Sequence, residues 1–295
     1  MKKYVIAIDA GGTFFKSAIV SSEAEVLSGT VMTVPANSDG TPEEVKEGYR
    51  RTLSAQLRNA KAAGIMISAV AVDTPGPFDY EGGFSKMEHK FRAIFGIPLR
   101  PWIEESVGKL PITFIHDSAA FLSGEMWNSP YGDFSNAAGV MIGTGLGFAT
   151  MENRKVLRKP DGSPLYSVWA SPYRGRIAED FVSGRGISAR YKDGSHSAKE
   201  IELLAKAGDK EAKAVYAETG AILAEVIKPH LIKVGAEILI LGGQISRGLP
   251  LFVDELRAGL SEVTTLRVIT RSERLDVSHM LGAAHDCFTK LGVIG

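Results

Sequence analysis

The stretch Tyr4-Val5-Ile6-Ala7-Ile8-Asp9-Ala10-Gly11-Gly12-Thr13-Phe14-Phe15-Lys16-Ser17-Ala18-Ile19-Val20 reads as an apolar run, an acid, a double glycine and a second, largely apolar run. The first run, Tyr4 to Ile8, is short and β-branched enough to be a buried strand. Asp9 to Thr13 is a tight turn, since paired glycines let the backbone reverse without a Cβ penalty. A second strand follows at once from Lys16 to Ser21. The same layout returns further on. Ala138 to Ile142 is a strand, Gly143-Thr144-Gly145-Leu146-Gly147 a glycine-rich turn, and Phe148 to Met151 a second strand. Two copies of one strand–turn–strand pattern are the trace of a duplicated domain.

Between and after the copies, helical and strand patterns alternate. Val26 to Val34 reads as a third strand. Thr41-Pro42-Glu43-Glu44 starts a helix: Thr41 caps it, proline suits the first turn, and the acids favour the positive end of the dipole. Val45, Tyr49, Leu53 and Leu57 then recur at helical spacing. Met66 to Val72 is a buried strand ending at Asp73-Thr74-Pro75-Gly76-Pro77. Phe78 to Ile97 is irregular and has the character of a functional loop. Ile112 to Ile115 is a strand that runs straight into a helix at Asp117. Asp209 to Val234 is a long helix, with Pro229 expected to kink it. Glu237 to Leu241 is a strand ending in Gly242-Gly243-Gln244, and Met280 to Lys290 is helical. This alternation predicts α/β layers in two domains facing each other across a central cleft.

Composition narrows the function classes. The 295 residues carry 34 Lys plus Arg against 34 Asp plus Glu, so the formal net charge is zero. A nucleic-acid binder normally shows a basic excess, and no nucleic-acid partner is expected. The single cysteine, Cys287, excludes an intrachain disulfide and a multi-cysteine zinc site. It suits a reducing, cytoplasmic setting. No apolar run reaches the ~20 residues needed to span a bilayer, so no membrane partner is expected.

Four motifs carry the chemistry. In Asp9-Ala10-Gly11-Gly12-Thr13, backbone N–H groups can approach phosphate oxygens, Thr13 offers a hydroxyl, Lys16 a cation, and Asp9 a carboxylate for hydrated Mg²⁺. Taken alone, the same residues serve equally as a β-hairpin turn, and the P-loop spacing is absent. Gly143-Thr144-Gly145 can cradle the other side of a triphosphate. Gly242-Gly243-Gln244 permits close approach of a flat ring or ribose, or makes a plain strand-to-helix turn. In His116-Asp117-Ser118, a carboxylate leaves a strand end where a helix starts; on its own it can also be an N-cap.

The ordered set, with Pro75-Gly76-Pro77 and the closing Leu281-Gly282-Ala283-Ala284, resembles the ROK family of sugar kinases and regulators over nearly the whole chain. The resemblance implies two actin-like (ribonuclease H-like) domains. Residues 1–116 would form the first, with 281–295 packing back on it, and 117–280 the second. It implies an ATP- and Mg²⁺-dependent kinase acting on a hexose or hexose derivative, and a homodimer. Asp117 would be the general base and Asp9 would lie near Mg²⁺. Gly11, Gly12, Thr13, Lys16, Gly143, Thr144 and Gly145 would hold phosphates, and Gly242, Gly243 and Gln244 would flank adenosine. Gly76, Lys90, His116 and Glu179 would face the sugar.

Departures from the family pattern matter. The zinc loop of many members falls at Tyr166 to Ser183, which here has neither Cys nor His, so no zinc is expected. Tyr166, Trp169 and Tyr173 would pack it instead. The usual Asn-Asp pair is His116-Asp117. The usual sugar stretch is Met87-Glu88-His89-Lys90-Phe91-Arg92, leaving open whether His89, Lys90 and His116 touch substrate, and raising the hypothesis of an acidic or phosphorylated sugar. His285-Asp286-Cys287 reads as packing and surface. The alternatives are a ROK-type sugar-sensing regulator, which would carry a helix-turn-helix segment before the first phosphate strand where none is expected here, and a catalytically silent sugar- or nucleotide-binding protein.

Overall fold

The structure is a computed structural model, and it describes residues 2–88 and 90–294. His89 lies outside the described residues. In chain order the elements are β1 (Tyr4–Ala10), β2 (Phe14–Ser21), β3 (Met32–Pro35), α1 (Pro42–Ala62), β4 (Ile67–Thr74), β5 (Phe78–Asp79), β6 (Phe84–Ser85), α2 (Arg100–Val107), β7 (Ile112–His116) and α3 (Asp117–Met126). Next come β8 (Ala137–Ile142), β9 (Leu146–Glu152), β10 (Lys155–Val156), β11 (Pro172–Tyr173), β12 (Arg176–Ile177), α4 (Glu179–Val182), α5 (Gly184–Ala189) and α6 (Ala198–Lys206). The chain finishes with α7 (Lys210–Val234), β13 (Ile238–Gly242), α8 (Val253–Gly259), β14 (Val268–Arg271) and α9 (Ser278–Lys290). Among the described residues no helix is long and apolar enough to cross a membrane.

The chain forms two compact units. One holds the chain up to Gly132, Arg158–Ser163 and the chain from Asp276 on; the other holds Asp133–Leu157 and Pro164–Leu275. Each is built on a five-stranded mixed sheet, in the order β3-β2-β1-β4-β7 in the first and β10-β9-β8-β13-β14 in the second. In both, the glycine-turn hairpin is antiparallel and the two later strands add in parallel. The shared order and sense is the duplication that the two hairpins announced.

In the first unit the strand alternation decides what lies on each face. Ile6, Ile8 and Ala10 of β1, with Val70 and Val72 of β4, join Val45, Tyr49 and Leu53 of α1 in one core. The opposite parity is small: Ala18, Ala7 and Ala71 stand opposite one another across β2, β1 and β4. That shallow bed receives α9, which contacts β1, β2, β4 and β7. α9 also packs closely on α3, because Gly124 and Gly282 let the two backbones meet. A Cβ on Gly282 would stand 1.7 Å from the Ala120 carbonyl oxygen, and one on Gly124 1.9 Å from that of Ser278. Thus α3, placed in the second domain by the boundary read at 116–117, lies in the first unit, and the chain passes to the second after Gly132.

Other expectations sharpen. Thr41 makes a full capping box with Glu44 at the start of α1. The strand expected over Val26 to Val34 is only Met32–Pro35, since Thr30 turns back on Leu27 and Gly29 takes a φ of 75°. In the second unit, α7 lays Val215, Ile222, Ile227 and Leu231 into a core with Val140 and Ile142 of β8 and Leu239 and Leu241 of β13.

Candidate functional site

The parity that buries Ile6 and Ile8 on one face sends Asp9 to the other, toward α9. In the parallel ladder Asp9 pairs with Asp73, the residue at the same level of β4. His279, in the first turn of α9, reaches the same point, with Nδ1 3.3 Å from Asp73 Oδ1. One ligand atom each from Asp9, Asp73 and His279 lies within 4.8 Å of the others, a spacing suited to a metal ion. Asp73 is fully buried, and its Oδ2 has no hydrogen-bond partner among the described residues. Burial and then the neighbouring Asp9 charge push the Asp73 carboxyl well above its ordinary range; Asp9 is also raised, chiefly by burial. Burial opposes charge on His279, but Asp9 and Asp73 outweigh it and hold the imidazole up at about 10. Sequence reading missed Asp73 and His279. The one visible signal was an acid closing an otherwise apolar strand.

β7 delivers the neighbouring carboxylate. It pairs with β4 so that Thr74 faces His116, and Asp117 follows as the first residue of α3. His116 Nδ1 lies 2.8 Å from Asp117 Oδ1, and the Ser118 amide donates to that oxygen at 2.6 Å. Burial alone would raise the Asp117 carboxyl; the His116 charge and hydrogen bond, then His279 and the Ser118 amide, outweigh it and hold Asp117 below the ordinary carboxylate range. Its side chain keeps 27% exposure, enough to meet a substrate. Tyr80 and Gly76 border His116: the Tyr80 ring is 5.8 Å from the imidazole, and a Cβ on Gly76 would stand 3.4 Å from His116 Nε2.

The Gly11–Gly12 turn joins β1 to β2, with Thr13 exposed at its tip. Lys90 passes over this turn, its Cδ 3.5 Å from where a Gly12 Cβ would stand, and makes no ion pair among the described residues. Lys16, beside Asp9 in the ladder, points its ammonium at exposed Asp276 at 3.1 Å. The first unit therefore brings together Asp9, Gly76, His116, Asp117 and, at the turn, Lys90.

The second unit carries its own set. Gly143, Thr144 and Gly145 turn between β8 and β9, and Gly184 N–H donates to the Gly143 carbonyl at 2.8 Å. Glu179 braces this turn: its Oε2 accepts from the Leu146 amide at 3.0 Å, and its Oε1 meets Arg185 at 2.7 Å. A Cβ on Gly145 would stand 2.8 Å from Glu179 Oε2, so a larger residue here would displace that carboxylate. Gly242 ends β13. Gly243, with a φ of 79°, runs against β8, where a Cβ would stand 2.3 Å from the Ile142 carbonyl oxygen. Gln244 is exposed at the start of the following 3₁₀ turn.

The segment matching the zinc loop is held by packing. Tyr166 lies 4.8 Å from the His230 ring under Lys233, and Tyr173 packs edge-on against Phe181 at 5.1 Å. Trp169, expected to help, is 49% exposed. Arg174, 59% exposed, pairs with Glu218 at 2.7 Å. In the first unit, Asp286 is buried against Arg158 and Lys290, and Cys287 is fully buried.

Comparison with known proteins places this geometry. Over 99% of both chains the sequence is 23% identical to a glucokinase of Thermotoga maritima. It is 23% identical to an N-acetylmannosamine kinase of Escherichia fergusonii, covering 81% of this chain and 82% of that one. The crystal structure of a ROK hexokinase from Thermus thermophilus superposes with a TM-score of 0.79 over 100% of both chains at 19% identity, which carries the mixed α/β, actin-like fold. The model of the ROK family matches residues 5–163 and 170–285, and the chain belongs to that family.

Proposed function

We propose that this protein is an ATP-dependent sugar kinase, transferring the γ-phosphoryl group to a hydroxyl of a hexose or hexose derivative with Asp117 as general base. The observation that carries the reading is the Asp117 carboxylate, partly exposed where β7 passes into α3 and held ionised by His116. The hydroxyl oxygen bonds to the γ-phosphorus, the bond from that phosphorus to the β–γ bridging oxygen breaks, ADP leaves, and the hydroxyl proton passes to Asp117 Oδ. Such transfers run through a loose transition state, so the hydroxyl keeps its proton until late. A carboxylate with a depressed pKa suits that timing. It first orients the hydroxyl as a hydrogen-bond acceptor and takes the proton only as the P–O bond forms.

Backbone N–H groups at Gly11, Gly12 and Thr13, with Lys90 above them, present donors and positive charge to phosphate oxygens in the first unit. Gly143, Thr144 and Gly145 do so in the second, and Gly242, Gly243 and Gln244 flank the nucleoside. Asp9 and Asp73 fit a divalent ion, because the orphaned Asp73 Oδ2 needs a positive partner. Bound there, Mg²⁺ would neutralise charge on the phosphate oxygens. Gly76 and His116 border the sugar hydroxyl, and the kinase acts in the cytoplasm as a homodimer.

Purified protein with Mg-ATP should release ADP only when a suitable sugar is added, across a panel of hexoses, N-acetylated amino sugars and acidic sugars. ATP binding without turnover on any of them would favour the silent-binding reading.

A further inference from the structure

Asp9, Asp73 and His279 form a cluster that the kinase reading uses only in part. Three independent features bear on it. Asp73 is fully buried; Oδ1 faces His279, and Oδ2 has no hydrogen-bond partner among the described residues. A buried acceptor left so costs about 1–3 kcal/mol unless a positive group completes it. Among the described residues, the only charged side chain in ion-pair contact with Asp9 or Asp73 is His279, since Lys16 is turned to Asp276. The ligand atoms also have the right spread. Donors at about 2.0–2.3 Å from one cation stand about 3–4.5 Å apart, and His279 Nδ1 is already 3.3 Å from Asp73 Oδ1.

The donor set selects the ion. Mg²⁺ prefers an all-oxygen octahedron and sheds its water reluctantly. An imidazole beside two carboxylates favours a borderline first-row ion instead. We propose that Asp9, Asp73 and His279 bind one first-row transition-metal dication directly, through one nitrogen and two carboxylates, in the protein free of nucleotide and sugar. All three residues belong to the first unit, so the site is complete there. The inference goes beyond the kinase reading, which asks for Mg²⁺ at Asp9 and Asp73 and leaves His279 unused.

The test uses full-length protein stripped by a chelator and titrated with Mn²⁺, with free Mn²⁺ followed by electron paramagnetic resonance. One Mn²⁺ per chain is expected, bound at least tenfold tighter than competing Mg²⁺. Pulsed spectra of the bound ion should show coupling to ¹⁴N. Asp73→Asn should weaken binding at least tenfold, and His279→Gln should remove the nitrogen coupling. Absence of Mn²⁺ binding without nucleotide overturns the proposal. So does bound Mn²⁺ lacking nitrogen coupling in the wild type, a result that needs no variant to fold. Neither measurement involves turnover, so either reading can fail while the other stands.

Discussion

His116 Nδ1 lies 2.8 Å from Asp117 Oδ1, a contact that lowers the pKa of the proposed base. Burial raises the Asp117 carboxyl, and the imidazole beside it is the largest of the groups that reverse the effect. A depressed pKa means that Asp117 stays ionised as pH falls through the ordinary carboxylate range near ~3.9, so it puts no acid limb on kcat above about pH 5. His116→Asn removes the imidazole and leaves burial in place, so the pKa rises. The profile of kcat against pH should then gain an acid limb within the measurable range. Identical acid limbs in wild type and variant would show that His116 does not set the charge.

Glu179 was expected to touch sugar, yet both its oxygens are engaged inside the second unit, by the Leu146 amide and Arg185. Arg185 is 61% exposed, so the ion pair contributes little, and the amide contact is the one that matters. Glu179→Gln keeps an acceptor for Leu146 and should raise KM for ATP less than about threefold; Glu179→Ala should raise it about tenfold. A change confined to KM for the sugar would return Glu179 to the sugar.

The α3–α9 seam depends on two glycines. Gly282→Ala places a methyl group on the Ala120 backbone, which cannot yield as a side chain would. The expected cost is about 3 kcal/mol, at the upper end for overpacking, read as a lower midpoint in urea unfolding. A midpoint equal to that of wild type would mean that the helices separate freely.

Cys287 should be inert. It is fully buried on α9, and burial pushes its thiol up to about 11. At pH 8 the folded protein should leave an aromatic disulfide reagent unreacted, and denaturant should release one thiol per chain. Rapid reaction in the native state would show that α9 opens.

Much of this arrangement was legible because it is local. The Gly11–Gly12 and Gly143–Gly145 hairpins, the Thr41 cap and Asp117 at a strand–helix junction all declare themselves within a few residues. Asp73 and His279 did not, because their meaning depends on the ladder that sets Asp73 beside Asp9 and on a contact 206 residues apart. Lys90 was aligned with a sugar position, but its aliphatic chain runs over Gly12, a proximity that no spacing along the chain encodes. Trp169 misled for the opposite reason: an aromatic suggests packing, and this one is half exposed.

The most direct test compares Asp117→Asn with wild type in sugar-dependent ADP release from Mg-ATP, on whichever sugar the wild type turns over. Asparagine keeps the shape and cannot take the proton. The account predicts that kcat falls by about 10²–10⁴-fold, with KM for sugar and for ATP changed by less than about fivefold. Turnover by the variant equal to that of the wild type would contradict it and place the base elsewhere.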